Sequence, residues 1–231
     1  MNKSEYKFRD WLENETWVSK LAPPAKDRVM ADSYELTFNQ GELVARKGDA
    51  AHAWIGVAEG LLKISAVQRS GKVVMFTGIP EGGWGGEGSV FKLEPRRYDI
   101  VAMRPSRVVF VPSATFRWLL DVSIEFNHVV LTQLNERLGQ YIGMMEIDRL
   151  DDPVARVARC VGALFNPVLY PRQSTSLKLS HTELGEFSGM SRQSVGAALR
   201  QLEAEGLIGT SYGSVVVHDL QALIRYEERT S

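Results

Sequence analysis

The segment from residue 191 to residue 200 carries the side chains whose types and spacing best fit a chemical role. Its candidate contact residues are Ser191, Arg192, Gln193, Ser194, Ala197 and Arg200. Arginine can bond bidentately to the edge of guanine and glutamine to adenine, while an alanine methyl can contact the methyl of thymine. Serine hydroxyls and a second arginine suit phosphate oxygens. These residues predict DNA binding, with Arg192 as the main base contact.

Simpler roles remain open at two of these positions. Ser191 can equally be a helix cap. Arg192 can instead contact a phosphate or point into solvent. The secondary structure that holds these side chains must be predicted before their roles can be distinguished.

The residues before this segment predict a short first helix. Ser180 and Glu183 form an S-x-x-E capping box, with Leu179 and Leu184 placed as its hydrophobic staple. Gly189 can adopt the left-handed conformation that ends a helix.

A second helix then follows Ser191, and Gly206 ends it. Its apolar residues recur at helical spacing and are Val195, Ala198, Leu199 and Leu202. Arg192, Gln193 and Arg200 fall on its other faces. Two short helices joined by a glycine turn are typical of a helix-turn-helix, whose second helix enters the major groove.

The composition restricts the class of protein. The chain has 231 residues, 44% of them hydrophobic, which is enough for two modest domains. No apolar run approaches the ~20 residues of a membrane helix, and the polar N-terminus lacks a secretory signal. Cys160 is the only cysteine, which excludes an internal disulfide and a cysteine-ligated iron–sulfur cluster within one chain. We therefore expect a cytoplasmic protein without a membrane partner.

Neither the charge distribution nor the spacing of the histidines contradicts the prediction of DNA binding. The net charge is −1, but residues 156–200 contain six basic and two acidic residues, a net charge of +4 that favours phosphate contacts. The histidines lack metal-ligand spacing and predict no metal site; they are His52, His128, His181 and His218.

The N-terminal half has a different sequence pattern, dominated by residues that favour β-strands. One or two short helices, broken at Pro23 and Pro24, are expected within residues 11–28. Short runs of β-forming residues follow, separated by turns, and predict a β-roll. The clearest predicted strands are residues 53–58, 61–67, 72–78, 98–103 and 107–111.

A long helix is predicted over residues 123–148, after a short one at 115–120 capped by Ser113. Its apolar residues alternate spacings of three and four, as in a coiled coil, which predicts a dimer interface. They are Leu131, Leu134, Leu138, Tyr141 and Met145. The alternative is packing within its own domain. A second apolar stripe, of Phe126, Val130 and Ile142, could serve that purpose and leave the first for a partner.

Three units follow from this pattern. Residues 1–122 are predicted to form an N-terminal β-roll, residues 123–150 a dimerisation helix and residues 151–231 a winged helix-turn-helix. Asp152 and Pro153 suit the start of a new helix, so residues 151–153 are the candidate hinge. Residues 208–217 predict the wing, a hairpin turning at residues 212–214.

This α+β arrangement resembles the Crp/Fnr superfamily of bacterial transcription regulators over nearly the whole chain. The G-x-S-R-x-x-V core at residues 189–195 looks like the family's recognition unit. The resemblance implies a homodimer on a palindromic operator of double-stranded DNA, RNA polymerase as a partner, a small-molecule effector and no enzymatic activity.

A second segment looks like the phosphate cassette of the family's cyclic-AMP-binding members. It contains Gly86, Glu87, Gly88, Ser89 and, further along, Arg97. In such a cassette, backbone amides and the arginine neutralise a cyclic phosphate and the glutamate binds a ribose hydroxyl. An internal Glu87–Arg97 salt bridge without a ligand is the alternative.

The chain departs from the cyclic-AMP pattern at both sites. Tyr98 and Asp99 replace small residues after the cassette arginine, and Trp84 adds an indole beside the pocket. We therefore expect an altered effector, such as an anionic aromatic compound stacked on Trp84, in a pocket that also includes Tyr98 and Tyr141. Cyclic AMP is the alternative.

Gln193 and Ala197 stand where the cyclic-AMP-type members carry glutamate and arginine, so a different half-site is expected. A second hypothesis makes the winged helix a protein-interaction module. An enzyme is the third, but the sequence contains no recognisable catalytic triad, phosphate-binding lysine loop or metal cluster.

Overall fold

The computed structural model describes residues 3–67, 69, 71, 73–171, 175–211 and 213–226. It begins with helices α1 (Lys3–Glu13) and α2 (Pro23–Asp32). The two prolines start α2, because proline lacks only an N–H that the first helical turn leaves unpaired in any case.

Two four-stranded antiparallel sheets form the β-roll, in the orders β1-β8-β3-β6 and β2-β7-β4-β5. The strands are β1 (Tyr34–Phe38), β2 (Leu43–Ala45), β3 (Ala53–Glu59), β4 (Leu61–Val67), β5 (Val73–Pro80), β6 (Trp84–Gly85), β7 (Asp99–Ala102) and β8 (Ser106–Pro112). All five predicted strands are present; residue 72 lies outside the described residues. Helix α3 (Glu87–Lys92) follows β6.

Strand β3 is buried on both faces because its residues alternate between two cores. Ile55 and Val57 point between the sheets, where they meet Leu62, Ile64 and other aliphatic side chains. Trp54 points the other way, into an aromatic core shared with the N-terminal helices. The first helices are thus part of the β-roll core.

Helices α4 (Ser113–Val122) and α5 (Ile124–Ile147) follow. Ser113 does not cap α4; it is the first helical residue, and Pro112 occupies the cap position. Ser123 caps α5 by accepting the Phe126 N–H at 3.1 Å. Phe126 and Val130 are buried in the aromatic core. The predicted second stripe therefore packs on the β-roll at these two positions, but its third member, Ile142, is 52% exposed and does not.

The C-terminal unit consists of α6 (Pro153–Ala163), α7 (His181–Ser188), α8 (Arg192–Ala204), α9 (Leu220–Ile224) and a small sheet. The strands of that sheet are β9 (Ser176–Lys178), β10 (Ile208–Ser211) and β11 (Ser214–Val217), in the order β10-β11-β9. Asp152 caps α6 as expected, accepting the Val154 N–H at 2.9 Å. The β10–β11 hairpin is the predicted wing, although residue 212 lies outside the described part.

The C-terminal unit is docked on the β-roll. Lys63 lies 2.6 Å from Glu186, and Arg104 lies 2.6 Å from Glu183, so both acidic residues of α7 pair with the roll. The Tyr170 hydroxyl donates to the Gly78 carbonyl at 2.9 Å. These contacts fix the position of the helix-turn-helix relative to the N-terminal half.

Gly185 is required by the tight turn between α7 and α8. A Cβ atom there would lie 2.8 Å from the Met190 carbonyl oxygen, a backbone atom that cannot move aside alone. We predict that Gly185→Ala lowers the free energy of unfolding by about 1–3 kcal/mol, measured by urea denaturation. The control is Gly143→Ala in α5, where a Cβ would meet nothing within 4 Å. Equal stability of the two variants would contradict this account of the turn.

Candidate functional site

Helix α8 presents the predicted contact residues on its outer face. Arg192, Gln193, Ala197 and Arg200 are exposed. The apolar residues Val195, Ala198, Leu199 and Leu202 are all buried against the domain core. The helix-turn-helix geometry is confirmed: the capping box of Ser180 and Glu183 is formed, and Gly189 ends α7 at φ 68°.

The two serines at the start of α8 have structural partners. The Ser191 hydroxyl accepts the Ser194 N–H at 3.1 Å, so Ser191 is the helix cap. The two hydroxyl oxygens are 2.8 Å apart. Each can still meet a phosphate, but their first role is to begin the helix.

His181 joins this surface although its sequence pattern gave no reason to select it. It is exposed at the first position of α7. A Cβ built on Gly196 would meet His181 Nδ1 at 3.3 Å and an Arg200 nitrogen at 3.7 Å. His181 and Arg200 therefore both lie beside Gly196, and only the packing of α7 on α8 places His181 there.

The cassette segment forms a buried turn. Gly86 has φ 83° and precedes α3, and both Glu87 and Ser89 are buried. Arg96 is buried beside them and donates to the Gly86 carbonyl at 3.0 Å and to the Ala53 carbonyl. Burial lowers the pKa of Arg96 from its ordinary value. Gly88, in the first turn of α3, has open space around it.

Arg97 does not occupy the position expected for it. Its side chain is 70% exposed and pairs with Glu94 at 2.7 Å. Its neighbour Arg96 faces the cassette instead and is held there by carbonyl acceptors. The alternative of an internal Glu87–Arg97 salt bridge is therefore not formed in this structure.

A different cation reaches the cassette from α5. Arg137 is buried and donates to the Trp84 carbonyl at 2.7 Å and to the Tyr170 hydroxyl at 3.2 Å. Its Nε lies 3.8 Å from a Glu87 carboxylate oxygen. Glu87 is thus paired within the chain, although its other oxygen has no hydrogen-bond partner among the described residues.

Burial and neighbouring groups hold this cluster in defined charge states. Burial acts to lower the pKa of Arg137, but Tyr170 and Glu87 outweigh it and the pKa lies above its ordinary value. Burial raises the pKa of both Tyr98 and Tyr141, and the Glu87 charge acts in the same direction. The guanidinium is therefore charged and the two phenols are neutral at neutral pH.

Trp84 lies in the aromatic core and does not face the cassette. Its ring centroid is 4.3 Å from that of Trp54 and 5.3 Å from that of Trp17. Its Nε1–H donates to Glu15 at 2.8 Å. Trp84 lines a different cavity, of about 390 Å³. The large aromatic neighbours that bury its ring are far away in sequence, which is why the pattern misplaced it.

The residues of the predicted coiled-coil stripe on α5 differ in their exposure. Leu131, Leu138 and Met145 are 63%, 59% and 61% exposed. Leu134 packs partly against the aromatic core, and Tyr141 is half-buried near the cassette. The three most exposed members leave an apolar stripe along the helix.

The described residues give little support to a metal site, a membrane-spanning helix or a reactive cysteine. They include no group of three or more metal-ligating side chains, and no helix is long and apolar enough to cross a membrane. Burial raises the pKa of the Cys160 thiol to about 12, so it is an unreactive core residue.

Two family models match the chain. Residues 35–123 match a cyclic nucleotide-binding domain, and residues 155–226 match a Crp-like helix-turn-helix domain. Together they include the roll, the cassette and the exposed face of α8. The chain belongs to the Crp/Fnr family.

Its relatives in this family are distant. The chain is 25% identical to the cAMP-activated global transcriptional regulator CRP of Pasteurella multocida, over 74% of this chain and 83% of that one. It is 26% identical to the transcriptional regulator LdrP of Thermus thermophilus, over 81% and 94%. FixK2 from Bradyrhizobium japonicum shares the fold, with a TM-score of 0.67, 18% identity and coverage of 83% and 95%.

We expect the stability of this Crp/Fnr protein to depend on Arg137, the buried arginine of α5. Arg137→Met leaves Glu87 buried without its cation, and removing one member of a buried pair typically costs about 3–5 kcal/mol. We predict a loss of this size in urea denaturation. Arg97→Met, at the exposed arginine, should change the unfolding free energy by less than about 0.5 kcal/mol. Comparable losses in both variants would contradict the assignment.

Proposed function

We propose that the chain is a homodimeric, sequence-specific transcription regulator whose DNA binding responds to a small effector in its N-terminal half. The main support for DNA binding is the outer face of α8. On this capped, well-packed helix the exposed side chains are Arg192, Gln193, Ala197 and Arg200. Residues 1–122 would sense the effector, residues 123–150 would dimerise and residues 151–231 would bind DNA, with a hinge at 151–153. The DNA partner implies a cytoplasmic location.

Within the recognition face the roles divide by chemistry. Arg192 and Gln193 lie at the N-terminal end of α8, the part of a recognition helix that reaches base edges. Arg192 suits guanine and Gln193 suits adenine, while Ala197 can contact a thymine methyl. Arg200, with Ser191 and Ser194, supplies phosphate contacts. RNA polymerase remains a proposed partner on the basis of family membership.

Cyclic AMP is not the effector that the cassette favours. Arg97 points into solvent, while Arg96 and Arg137 fill the cassette with the chain's own positive charge. The Asp99 carboxylate accepts the Lys47 N–H at 2.7 Å and so has a structural role at the start of β7. A cyclic phosphate would need Arg97 to turn inward. The response to a different molecule is therefore the better proposal.

A protein-interaction role for the winged helix is the second candidate. The exposed, capped start of α8 is compatible with either partner. The paired exposure of Arg192 and Gln193 favours DNA, because their planar, bidentate groups match base edges.

The two arginines of α8 separate base contacts from phosphate contacts. We predict that Arg192→Ala costs about 1–3 kcal/mol of operator binding and relaxes specificity at one base pair. Arg200→Ala should weaken binding to all sequences alike and reduce the salt dependence by one phosphate contact. Fluorescence anisotropy on operator DNA selected from a random pool, at several salt concentrations, measures both. Failure of the parent protein to select any sequence would favour the protein-interaction role.

The exposed stripe of α5 predicts the dimer. Leu138→Glu should place a charge in the interface and convert the dimer to a monomer, as measured by light scattering after size-exclusion chromatography. Leu36→Glu is the matched control, because Leu36 is 48% exposed on the β-roll, away from α5. A Leu138→Glu protein that remains dimeric at micromolar concentration would refute the proposed interface.

A further inference from the structure

His181 is an exposed, titratable side chain that lies against the recognition helix. It occupies the first helical position of α7, and within the described part of the chain its ring takes part in no ion pair or hydrogen bond. A Cβ atom built on Gly196 of α8 would lie 3.3 Å from the ring Nδ1 and 3.5 Å from the ring Cε1. The imidazole therefore lies over the one residue of that helix turn that has no side chain.

Two arginines of α8 flank this position. Residues four apart in a helix lie on the same side, so Arg192, Gly196 and Arg200 form one row. Both arginines are exposed, and a guanidinium nitrogen of Arg200 would lie 3.7 Å from the same built Cβ. When it is protonated, His181 adds a third positive charge to this row.

The geometry of helix-turn-helix binding places this row at a phosphate. The second helix enters the major groove, while the first helix crosses the sugar–phosphate backbone. A side chain of α7 that touches the outer row of α8 therefore lies where the groove meets the backbone. A protonated imidazole carries two N–H donors and a charge, whereas the neutral ring has one donor and one acceptor. Only the protonated ring can make a charge-assisted hydrogen bond to phosphate.

The carboxylates of α7 are engaged elsewhere and do not pair with His181. Glu183 lies 2.6 Å from Arg104, and Glu186 lies 2.6 Å from Lys63, both of the β-roll. The two acidic residues nearest to His181 along its own helix therefore leave its ring available to an external anion.

The other elements around His181 present hydroxyl groups and positive charge. The wing side of the small cavity that His181 lines contributes three hydroxyl-bearing residues, which are Thr210, Ser211 and Ser214. Glu203 of α8 accepts the Thr210 N–H at 2.8 Å and is held there. Lys178, three residues before His181, is exposed, as is Arg200. Like charges disfavour a protonated histidine and an opposite charge favours it. A DNA phosphate at this place would therefore favour protonation.

We infer that His181 contacts a DNA phosphate in its protonated form and makes the DNA affinity of this protein depend on pH near neutrality. The inference rests on the proposed function, because it requires DNA on the outer face of α8. Histidine titrates between about pH 5 and 8. Since the protonated ring binds phosphate more tightly, DNA binding takes up a proton. The affinity is therefore highest below this range and falls as the pH rises through it.

Fluorescence anisotropy on the selected operator DNA, at about pH 6 and about pH 8, tests the inference. An exposed ion pair is worth about 3-fold in a binding constant, so the two half-sites of a palindrome together give about 10-fold tighter binding at the lower pH. The salt dependence should also be steeper there by about one phosphate contact per half-site. Isothermal titration in two buffers of different ionisation enthalpy should show proton uptake when the parent protein binds DNA.

Three variants separate the charge of His181 from its packing. His181→Lys has a permanent charge and should bind at the higher pH about as tightly as the parent binds at the lower one, without proton uptake. His181→Gln cannot be protonated and should bind at both pH values as the parent binds at the higher one. The control is His52→Gln, at an exposed histidine of the β-roll, which should keep the pH dependence of the parent.

The outcomes separate this inference from the proposed function. Equal DNA affinity of the parent at the two pH values would overturn the role of His181 while DNA binding stands. So would a pH dependence that His181→Gln retains in full. Absence of DNA binding by the folded parent at both pH values would overturn both proposals.

Discussion

The buried guanidinium of Arg137 is the interaction on which the rest of the structure depends. It extends from α5 to the carbonyl of Trp84, approaches the carboxylate of Glu87 and bonds to the Tyr170 hydroxyl. These groups belong to the β-roll, the cassette and the segment after α6. A charge in such a place must be fully paired, because an unpaired buried ion costs several kcal/mol. This one buried side chain therefore joins the three units, alongside the ion pairs of α7 with the roll.

Helix α5 can carry this role because its faces are different. One face buries Phe126 and Val130 in the aromatic core, and Arg137 projects from the buried side further along. The opposite stripe, with Leu131, Leu138 and Met145, is apolar and exposed. A second copy of the chain can cover that stripe without disturbing the roll. The helix thus connects the cavity lined by Trp84, the cassette and the proposed dimer interface over its length.

The acidic residues of α7 extend the coupling to the helix-turn-helix. Glu183 both completes the capping box with Ser180 and pairs with Arg104 of the roll. Glu186 pairs with Lys63. These ion pairs are partly exposed, so each contributes little stability by itself. Their consequence is positional: the acidic groups of α7 turn towards the roll, while Arg192 and Arg200 stay exposed on the outer face of α8.

Local sequence pattern was enough to predict the helices, the strands and the helix-turn-helix. Capping residues, helical periodicity and β-forming runs act over a few positions, so the capping box at Ser180 and the exposed face with Arg192 followed directly from local pattern. The partners of the buried polar groups could not be inferred from local pattern. Whether Arg96 or Arg97 turned inward, and which cation met Glu87, depended on carbonyls and side chains from distant segments. Trp84 was misplaced for the same reason, since Trp17 and Trp54 bury it from elsewhere in the chain. Tertiary structure alone decided these contacts, because a buried charge or indole is satisfied by whatever the fold brings beside it and not by its neighbours in sequence.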